Sequence, residues 1–253
     1  MKNVLTAVAL LAIGTLWLTA QPKPPSPDEL KALQGILAAT TADARVAAVD
    51  SFVKDFPKSE YRATALTMAA DAYEMTGNST KAIIYYQQVL EVSPKDYNAV
   101  NAMLMLAAET ARTTREFDLD REEKLAKAEK FAKDGMAAIP SASKPNPQLT
   151  DAQWADAKKD DLARGHEALG LIAVARKKYD DAAGEFKTAT ETASAPPPAT
   201  FIRMAGAYTD GGKPDQAIAT LDKVLAMPNL PDQLKQVAQA EKARAEKAKT
   251  AKQ

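Results

Sequence analysis

The sequence predicts an all-α fold, an α-solenoid of about four to five helix hairpins followed by a C-terminal capping helix. Three observations support this prediction. Only 10 of the 253 residues are glycine and strand-forming residues are sparse, which favours helix. Apolar residues recur at helical spacing in a series of short segments. Proline or glycine closes most of these segments, so that short helices alternate with tight turns.

The first four helices show this pattern clearly. We predict them over residues 28–38, 41–56, 63–76 and 81–92. In the first, Leu30, Leu33 and Ile36 share one helical face. Pro57 stops the second helix, and Gly77 follows the third as a glycine that can take a left-handed conformation. This part of the chain therefore predicts two successive helix hairpins.

The hairpin pattern repeats further along the chain. A set of four residues recurs in character with the same spacings of 4, 5 and 4, as Tyr73, Gly77, Ala82, Tyr86 and again as Tyr208, Gly212, Ala217, Leu221. A third copy contains Gly170, Tyr179, Ala182 and Phe186. Ala182 and Ala217 are 35 residues apart, and self-similarity at such a period indicates a repeat architecture.

These residues resemble the tetratricopeptide repeat family, in which helix pairs recur about every 34 residues. The resemblance places the small residue of the first helix at Ala70, Leu104, Gly170 and Ala205, of which Leu104 is a bulky departure. It places the small residue of the second helix at Ala82, Ala128, Ala182 and Ala217. We therefore expect a repeat domain over residues 28–229 and a capping helix with a tail over 230–253.

The N-terminus is typical of an exported bacterial protein. Lys2 precedes a mostly apolar stretch over residues 4–18, and Ala20 is the small residue that a signal peptidase needs. We predict a signal peptide over residues 1–20 and a proline-rich linker over 21–27. The alternative is an uncleaved anchor over residues 4–20, at the short limit for crossing a bilayer. The protein is expected in the periplasm or secreted, or alternatively anchored to the inner membrane, and membrane contact is expected only if residues 4–20 stay uncleaved.

Composition argues against several classes of function. Lys and Arg equal Asp and Glu at 33 each, so the chain lacks the basic surplus that favours nucleic acid. Cysteine is absent, which removes disulfides, thiolate nucleophiles and an N-terminal lipid anchor together. The only histidine, His166, has no serine within one helical turn to act as a nucleophile. We therefore predict no catalytic residues, no metal site, no cofactor and no enzymatic activity.

Two further features have structural explanations. The alternating carboxylates that begin at Asp118 could suggest a calcium loop, but the early glycine and terminal glutamate of that loop are missing. Asp120, with Glu123 three residues later, instead predicts a capping box at the start of a helix. Trp154 lies on a helical stretch that begins near Thr150, and we expect it to be a packing anchor between two repeats.

The resemblance also implies a binding surface, because stacked hairpins curve and line their concave side with first helices. The groove-facing positions of the family correspond here to Thr67, Asp71, Glu74, Asn101, Met105, Glu167, Leu171 and Ile202. This acidic, amide and apolar set suits an extended or helical protein segment with apolar anchors and some positive charge. It lacks the paired lysine and asparagine residues by which some family members hold a C-terminal carboxylate.

Together, the repeats and the N-terminal segment predict an exported scaffold or adaptor for protein–protein interaction in cell-envelope assembly or secretion. A membrane-tethered structural spacer is the alternative if residues 4–20 are retained. A carboxylate-based enzyme is a third possibility, which would need two buried carboxyls about 5–9 Å apart in a closed pocket. The sequence offers no specific pair of that kind.

Overall fold

The computed structural model describes residues 24–251, and this range contains eleven α-helices and no β-strand. The helices are α1 (Pro27–Ala38), α2 (Ala42–Asp55), α3 (Arg62–Met75), α4 (Ser79–Val92), α5 (Tyr97–Thr113), α6 (Arg121–Ala138), α7 (Asp151–Ala175), α8 (Tyr179–Thr192), α9 (Pro198–Asp210), α10 (Pro214–Leu225) and α11 (Asp232–Thr250). None of these described helices is both long and apolar enough to cross a membrane. The predicted signal peptide or anchor over residues 1–20 lies outside the described residues, as does the first part of the predicted linker.

Side-chain caps determine where several helices begin. The Ser26 hydroxyl accepts a hydrogen bond from the backbone N–H of Glu29 at 3.3 Å. The Glu29 carboxylate accepts one from the backbone N–H of Ser26 at 2.8 Å, so α1 starts in a capping box. Thr150 and Gln153 make the same arrangement at the start of α7. These caps satisfy N–H groups that have no partner within the first helical turn.

Three hairpins reverse the chain in the same way. After α3, α7 and α9 comes a residue with positive φ, namely Gly77 (72°), Lys177 (60°) and Gly212 (72°). The N–H of the following residue then donates to a carbonyl five residues earlier, as Asn78 does to Tyr73 at 2.8 Å. This arrangement is a Schellman motif, which ends one helix and leaves room for the next after three residues. Gly77 thus takes the predicted left-handed conformation.

The hairpin of α5 and α6 is different, because its turn contains no residue with positive φ. The chain leaves α5 in an extended conformation at Thr114 and crosses a seven-residue loop, 114–120. α6 begins at Arg121, close to its predicted start, but Asp120 makes no capping hydrogen bond. The Asp120 carboxylate instead lies 2.9 Å from Lys124 Nζ. The predicted capping box is therefore wrong, because the lysine one turn later attracts this carboxylate away from the helix end.

The predicted small residues lie where paired helices approach each other. Those of the second helices are all 0% exposed: Ala82, Ala128, Ala182 and Ala217. A Cβ atom added to Gly170 of α7 would lie 2.6 Å from the Phe186 ring of α8, so these helices pack too closely for a side chain. Leu104 of α5 is accommodated because α6 carries Gly135 opposite, where a Cβ atom would lie 2.8 Å from Leu104 Cδ2.

The described helices form five hairpins, α1–α2, α3–α4, α5–α6, α7–α8 and α9–α10, and α11 packs on the last of these in the predicted capping position. Each second helix also packs on the first helix of the next hairpin. The first helix α5 also contacts the first helices α3 and α7, and the capping helix α11 contacts α9. The described second helices make no comparable contact with one another. The array therefore curves with its first helices on the inner side, which confirms the predicted α-solenoid.

Candidate protein-binding groove

The predicted groove residues lie on the first helices α3, α5, α7 and α9. Asp71 is exposed, and six others are half-buried: Thr67, Glu74, Asn101, Met105, Glu167 and Leu171. Met105 and Leu171 pack partly against the core, so they provide an apolar floor to the groove. Thr67 donates its hydroxyl to the Ala63 carbonyl at 3.0 Å, within its own helix.

Ile202 differs from the other predicted groove residues, because it is buried and only 8% exposed. It packs in a core cluster with Leu221 of α10 and Ala238 of α11. α11 also contacts the inner face of α9, where the Thr209 hydroxyl donates to Glu241 Oε1 at 2.9 Å. The prediction that Ile202 lines an open groove is therefore wrong, because the capping helix covers that end of the solenoid.

Tyr86 of α4 holds two carboxylates of α3 at the N-terminal end of the groove. Its hydroxyl lies 2.7 Å from Asp71 Oδ1 and 3.3 Å from Glu74 Oε2. Asp71 is exposed as a whole residue, but partial desolvation of its carboxyl group raises its pKa, while the Tyr86 hydrogen bond and the charge of Arg164 oppose this shift. Desolvation and the nearby charge of Glu109 raise the pKa of Glu74, while Arg112 lowers it. Positive charge therefore does not fully compensate these two carboxylates.

Arg112, near the end of α5, lies among three carboxylates. Its guanidinium is 3.8 Å from Glu74 Oε1 and 3.9 Å from Glu167 Oε1, and it pairs with Glu109 within α5. Glu109 is 1% exposed, and its Oε2 atom has no hydrogen-bond partner. A buried carboxylate oxygen without a donor is unfavourable, so an additional donor would stabilise this position. Sequence reasoning missed both residues, although they follow Met105 on one helical face at i+4 and i+7.

Glu167 of α7 extends the series of charges to α9. The Thr200 hydroxyl donates to Glu167 Oε2 at 3.0 Å, and Arg203 pairs with Glu167 Oε1. Four charged residues therefore connect α3, α5, α7 and α9 in one series, which we call the carboxylate–arginine ladder: Glu74, Arg112, Glu167 and Arg203. The ladder crosses three junctions between hairpins, so it places alternating charges along the concave face.

Two residues that the sequence singled out lie apart from this ladder. His166 Nδ1 is 2.8 Å from Glu185 Oε2, a contact that joins the two helices of one hairpin. Trp154 is 8% exposed and packs edge-on against Tyr97 of α5, with ring centroids 5.4 Å apart. Trp154 thus bridges two hairpins as predicted. Within residues 24–251, no three Asp, Glu or His side chains converge as metal ligands would.

Comparison with known proteins agrees with this architecture. Residues 63–96, which contain α3 and α4, match the family model described as tetratricopeptide repeat. No curated protein sequence is significantly similar to the chain. A thermophilic TPR protein of Thermus thermophilus has a similar fold, with a TM-score of 0.59 and 18% identity over 84% of this chain and 98% of that one. A tetratricopeptide repeat protein of Parabacteroides merdae aligns over 87% of this chain and 90% of its own, with 17% identity and a TM-score of 0.38.

The matched repeat is the hairpin that holds Asp71, Glu74 and Tyr86, at the N-terminal end of the ladder. The repeats that follow carry an enlarged loop after α5 and an extended α7, so their spacing departs from the regular period. Residues 63–96 are thus similar to a tetratricopeptide repeat, and the described chain shares the solenoid fold of the Thermus thermophilus protein.

Proposed function

We propose that this protein is an exported scaffold, which binds a segment of a partner protein in its concave groove during cell-envelope assembly or secretion. The tetratricopeptide fold is typically non-catalytic and suggests protein–protein interaction. The carboxylate–arginine ladder carries the proposal, because it lines the groove across four first helices and because Glu109 beside it keeps a buried carboxylate oxygen without a hydrogen-bond donor. Residues 1–20 support export through their apolar stretch and small terminal residue.

The charge of the groove favours a segment with a cationic side chain. Arg112 is shared by three carboxylates, those of Glu74, Glu109 and Glu167, and of these only Glu167 has a second arginine, Arg203. Asp71 accepts a hydrogen bond from Tyr86 and has only the more distant charge of Arg164 nearby. A lysine or arginine of the partner would stabilise the charged forms of Asp71 and Glu74, which desolvation disfavours. Met105 and Leu171 lie on neighbouring first helices and offer apolar contact beside that charge.

A matched pair of peptides tests this proposal. The two peptides share one apolar sequence and carry either arginine or citrulline, which has the same shape without the charge. We expect the arginine peptide to bind about tenfold more tightly, because a hydrogen bond to a charged group contributes about 1.5–3 kcal/mol. Isothermal titration calorimetry with the purified exported protein measures the difference. Equal affinity for the two peptides would contradict the proposal.

A pair of variants separates the groove from the rest of the surface. Glu74→Gln removes a ladder carboxylate and should abolish the preference for the arginine peptide. Glu191→Gln is the control, because Glu191 lies on α8, is exposed and pairs with Lys187 at 3.7 Å, away from the ladder. A loss of preference in both variants would indicate a general charge effect instead of a specific site.

Cross-linking in the native envelope tests the broader role. We expect a protein to be captured by the wild-type chain and to be captured less by the Glu74→Gln variant. If no partner is captured and groove substitutions leave the cells unaffected, a scaffold function is excluded.

Intact-mass measurement tests export and the fate of the N-terminus. Loss of residues 1–20 from the exported protein is the expected result, since that segment has the features of a signal peptide. Retention of these residues would instead support a membrane-tethered spacer.

A further inference from the structure

The loop between α5 and α6, residues 114–120, exposes two large apolar side chains. Phe117 is 90% exposed and Leu119 is 107% exposed, the highest values for large apolar residues in the described part of the chain. The other four hairpins are joined by only three residues each. The additional length is therefore not needed to reverse the chain. In this loop it exposes the side chains of Phe117 and Leu119 to solvent.

Asp118 turns inward between these two residues and holds the loop in place. Its Oδ2 atom accepts hydrogen bonds from the backbone N–H of Arg115 and from Lys124 Nζ, each at 3.1 Å. The Asp118 N–H donates to the Arg115 carbonyl at 3.3 Å, and the Arg121 N–H donates to the Asp118 carbonyl at 3.1 Å, so two turns follow each other. Because Asp118 faces inward, the residues on either side of it face solvent.

The loop is also attached to the next hairpin. Glu116 pairs with Lys177 in the turn between α7 and α8, and the Arg121 guanidinium donates to the Ala175 carbonyl at the end of α7. A loop held in this way loses less conformational entropy when a partner binds. Single exposed apolar residues are common on proteins, but two large ones separated by one residue on an anchored loop favour an interaction surface.

We propose that Phe117 and Leu119 insert into an apolar pocket of the same partner protein whose segment occupies the groove. This inference rests on the proposed function, because the loop begins two residues after Arg112, a member of the ladder. Two such side chains bury at most about 500 Å², whereas a stable interface buries about 1,200 Å² or more. The groove supplies the remaining contact area.

A bilayer or a second copy of the chain fits this loop less well. Glu116 and Asp120 are exposed on either side of the two apolar residues, and these carboxylates would have to enter the headgroup region of a membrane. A second copy that used the loop alone would form an interface below the size of a stable dimer. An apolar pocket on a partner protein accepts the two side chains and leaves the carboxylates in water.

Photo-crosslinking from position 117 identifies what contacts the loop. Benzoylphenylalanine replaces Phe117 in the full chain within the producing cells, and the same group at the exposed Lys223 of α10 is the control. We expect one protein to form an adduct at position 117 and not at 223, with the cross-link inside an apolar pocket once it is mapped by mass spectrometry. An adduct with lipid, an adduct with a second copy, or no adduct would overturn the inference.

Once the cross-linked partner has been identified and purified, its Kd for this protein can be compared between the wild type and variants of the loop. The double variant Phe117→Ser and Leu119→Ser should raise its Kd about tenfold to a hundredfold, because burial of two apolar side chains is lost. Leu37→Ser is the matched control, since Leu37 is 64% exposed near another hairpin turn, and its Kd should stay within about twofold of the wild type. A Kd within twofold for the double variant would overturn the inference.

Two further measurements separate this loop from the groove. The double variant should bind the arginine peptide as the wild type does, so that an effect on the partner alone assigns the loss to the loop. Asp118→Ala retains both apolar side chains but removes two hydrogen bonds of the loop. We expect faster hydrogen exchange over residues 114–120 in that variant and a smaller loss of affinity than in the double variant; unchanged exchange and affinity would exclude Asp118 as a positioning residue.

Discussion

The close approach of α7 and α8 at Gly170 allows a quantitative test of how the hairpins pack. Gly170→Ala would place the new methyl carbon 2.6, 2.7 and 2.9 Å from three atoms of the Phe186 ring. Phe186 is 0% exposed and packs with Ala182 and Met204, so its ring cannot move without displacing core neighbours. Overpacking of this kind costs about 1–3 kcal/mol.

Gly184→Ala provides a matched control in the same hairpin, since nothing lies within 4 Å of a Cβ atom added to Gly184. Both substitutions replace a helical glycine by alanine and gain about 1 kcal/mol of helix propensity. Gly184→Ala should therefore raise the free energy of unfolding by about 1 kcal/mol. Gly170→Ala should lower it by up to about 2 kcal/mol, so the two variants differ by about 1–3 kcal/mol.

Urea unfolding followed by circular dichroism measures this difference. Tryptophan fluorescence is a second probe, because Trp154 lies on the same helix as Gly170 and because repeat arrays can unfold in more than one step. Coincident transitions permit the free energies to be compared directly. Equal stability of the two alanine variants would refute the reasoning, since it would mean that α7 and α8 have room for a methyl group at their contact.

Three further perturbations test the electrostatics of the solenoid. Tyr86→Phe removes a hydroxyl that donates to two groove carboxylates, so urea unfolding should show a loss of about 1–3 kcal/mol, and an unchanged midpoint would contradict this. Lys133 and Arg176 lower the pKa of Glu129 from 4.5 to about 2. This lowered pKa stabilises the fold above pH 4.5, and the stabilisation is lost as the pH falls towards 2. Between pH 4.5 and 2, thermal unfolding of Arg176→Ala should therefore show a smaller loss of stability than the wild type shows, by about 1 kcal/mol at most. A pH profile identical to that of the wild type would refute the pairing of Glu129 with Arg176. Because the pKa of Glu74 is raised, affinity for the arginine peptide should begin to fall at a pH above 4.5, and a fall only below 4.5 would contradict the desolvation argument.

Local sequence was sufficient for the hairpins themselves. The turn at Gly77 could be predicted because a left-handed residue after a helix favours glycine, and the structure gives it a φ of 72°. Ala182 and Ala217 could be placed at helix contacts because their spacing repeats, and both are fully buried. These features depend on residues close in the chain, where helical geometry is regular.

The groove was predicted less completely, because its shape depends on how distant helices stack. Ile202 has the spacing of a groove residue, but α11 covers its face. Arg112 and Glu109 share a helical face with Met105, yet nothing in α5 alone shows that Glu74 and Glu167 lie on either side of them. Those contacts bring together residues 38 and 55 positions from Arg112.

The amino-acid sequence by itself thus determined the helices, their turns, the small residues at the crossings and the repeated order that makes a solenoid. Helix formation and chain reversal depend on neighbours within a few residues, so the local amino-acid sequence is sufficient to predict the helices and turns. Only the tertiary structure decided which charges meet across α3, α5, α7 and α9, that α11 closes one end of the groove, and that Asp118 faces inward while Phe117 and Leu119 face solvent. Each of these outcomes requires the relative position of separate helices, which periodicity along one helix does not specify.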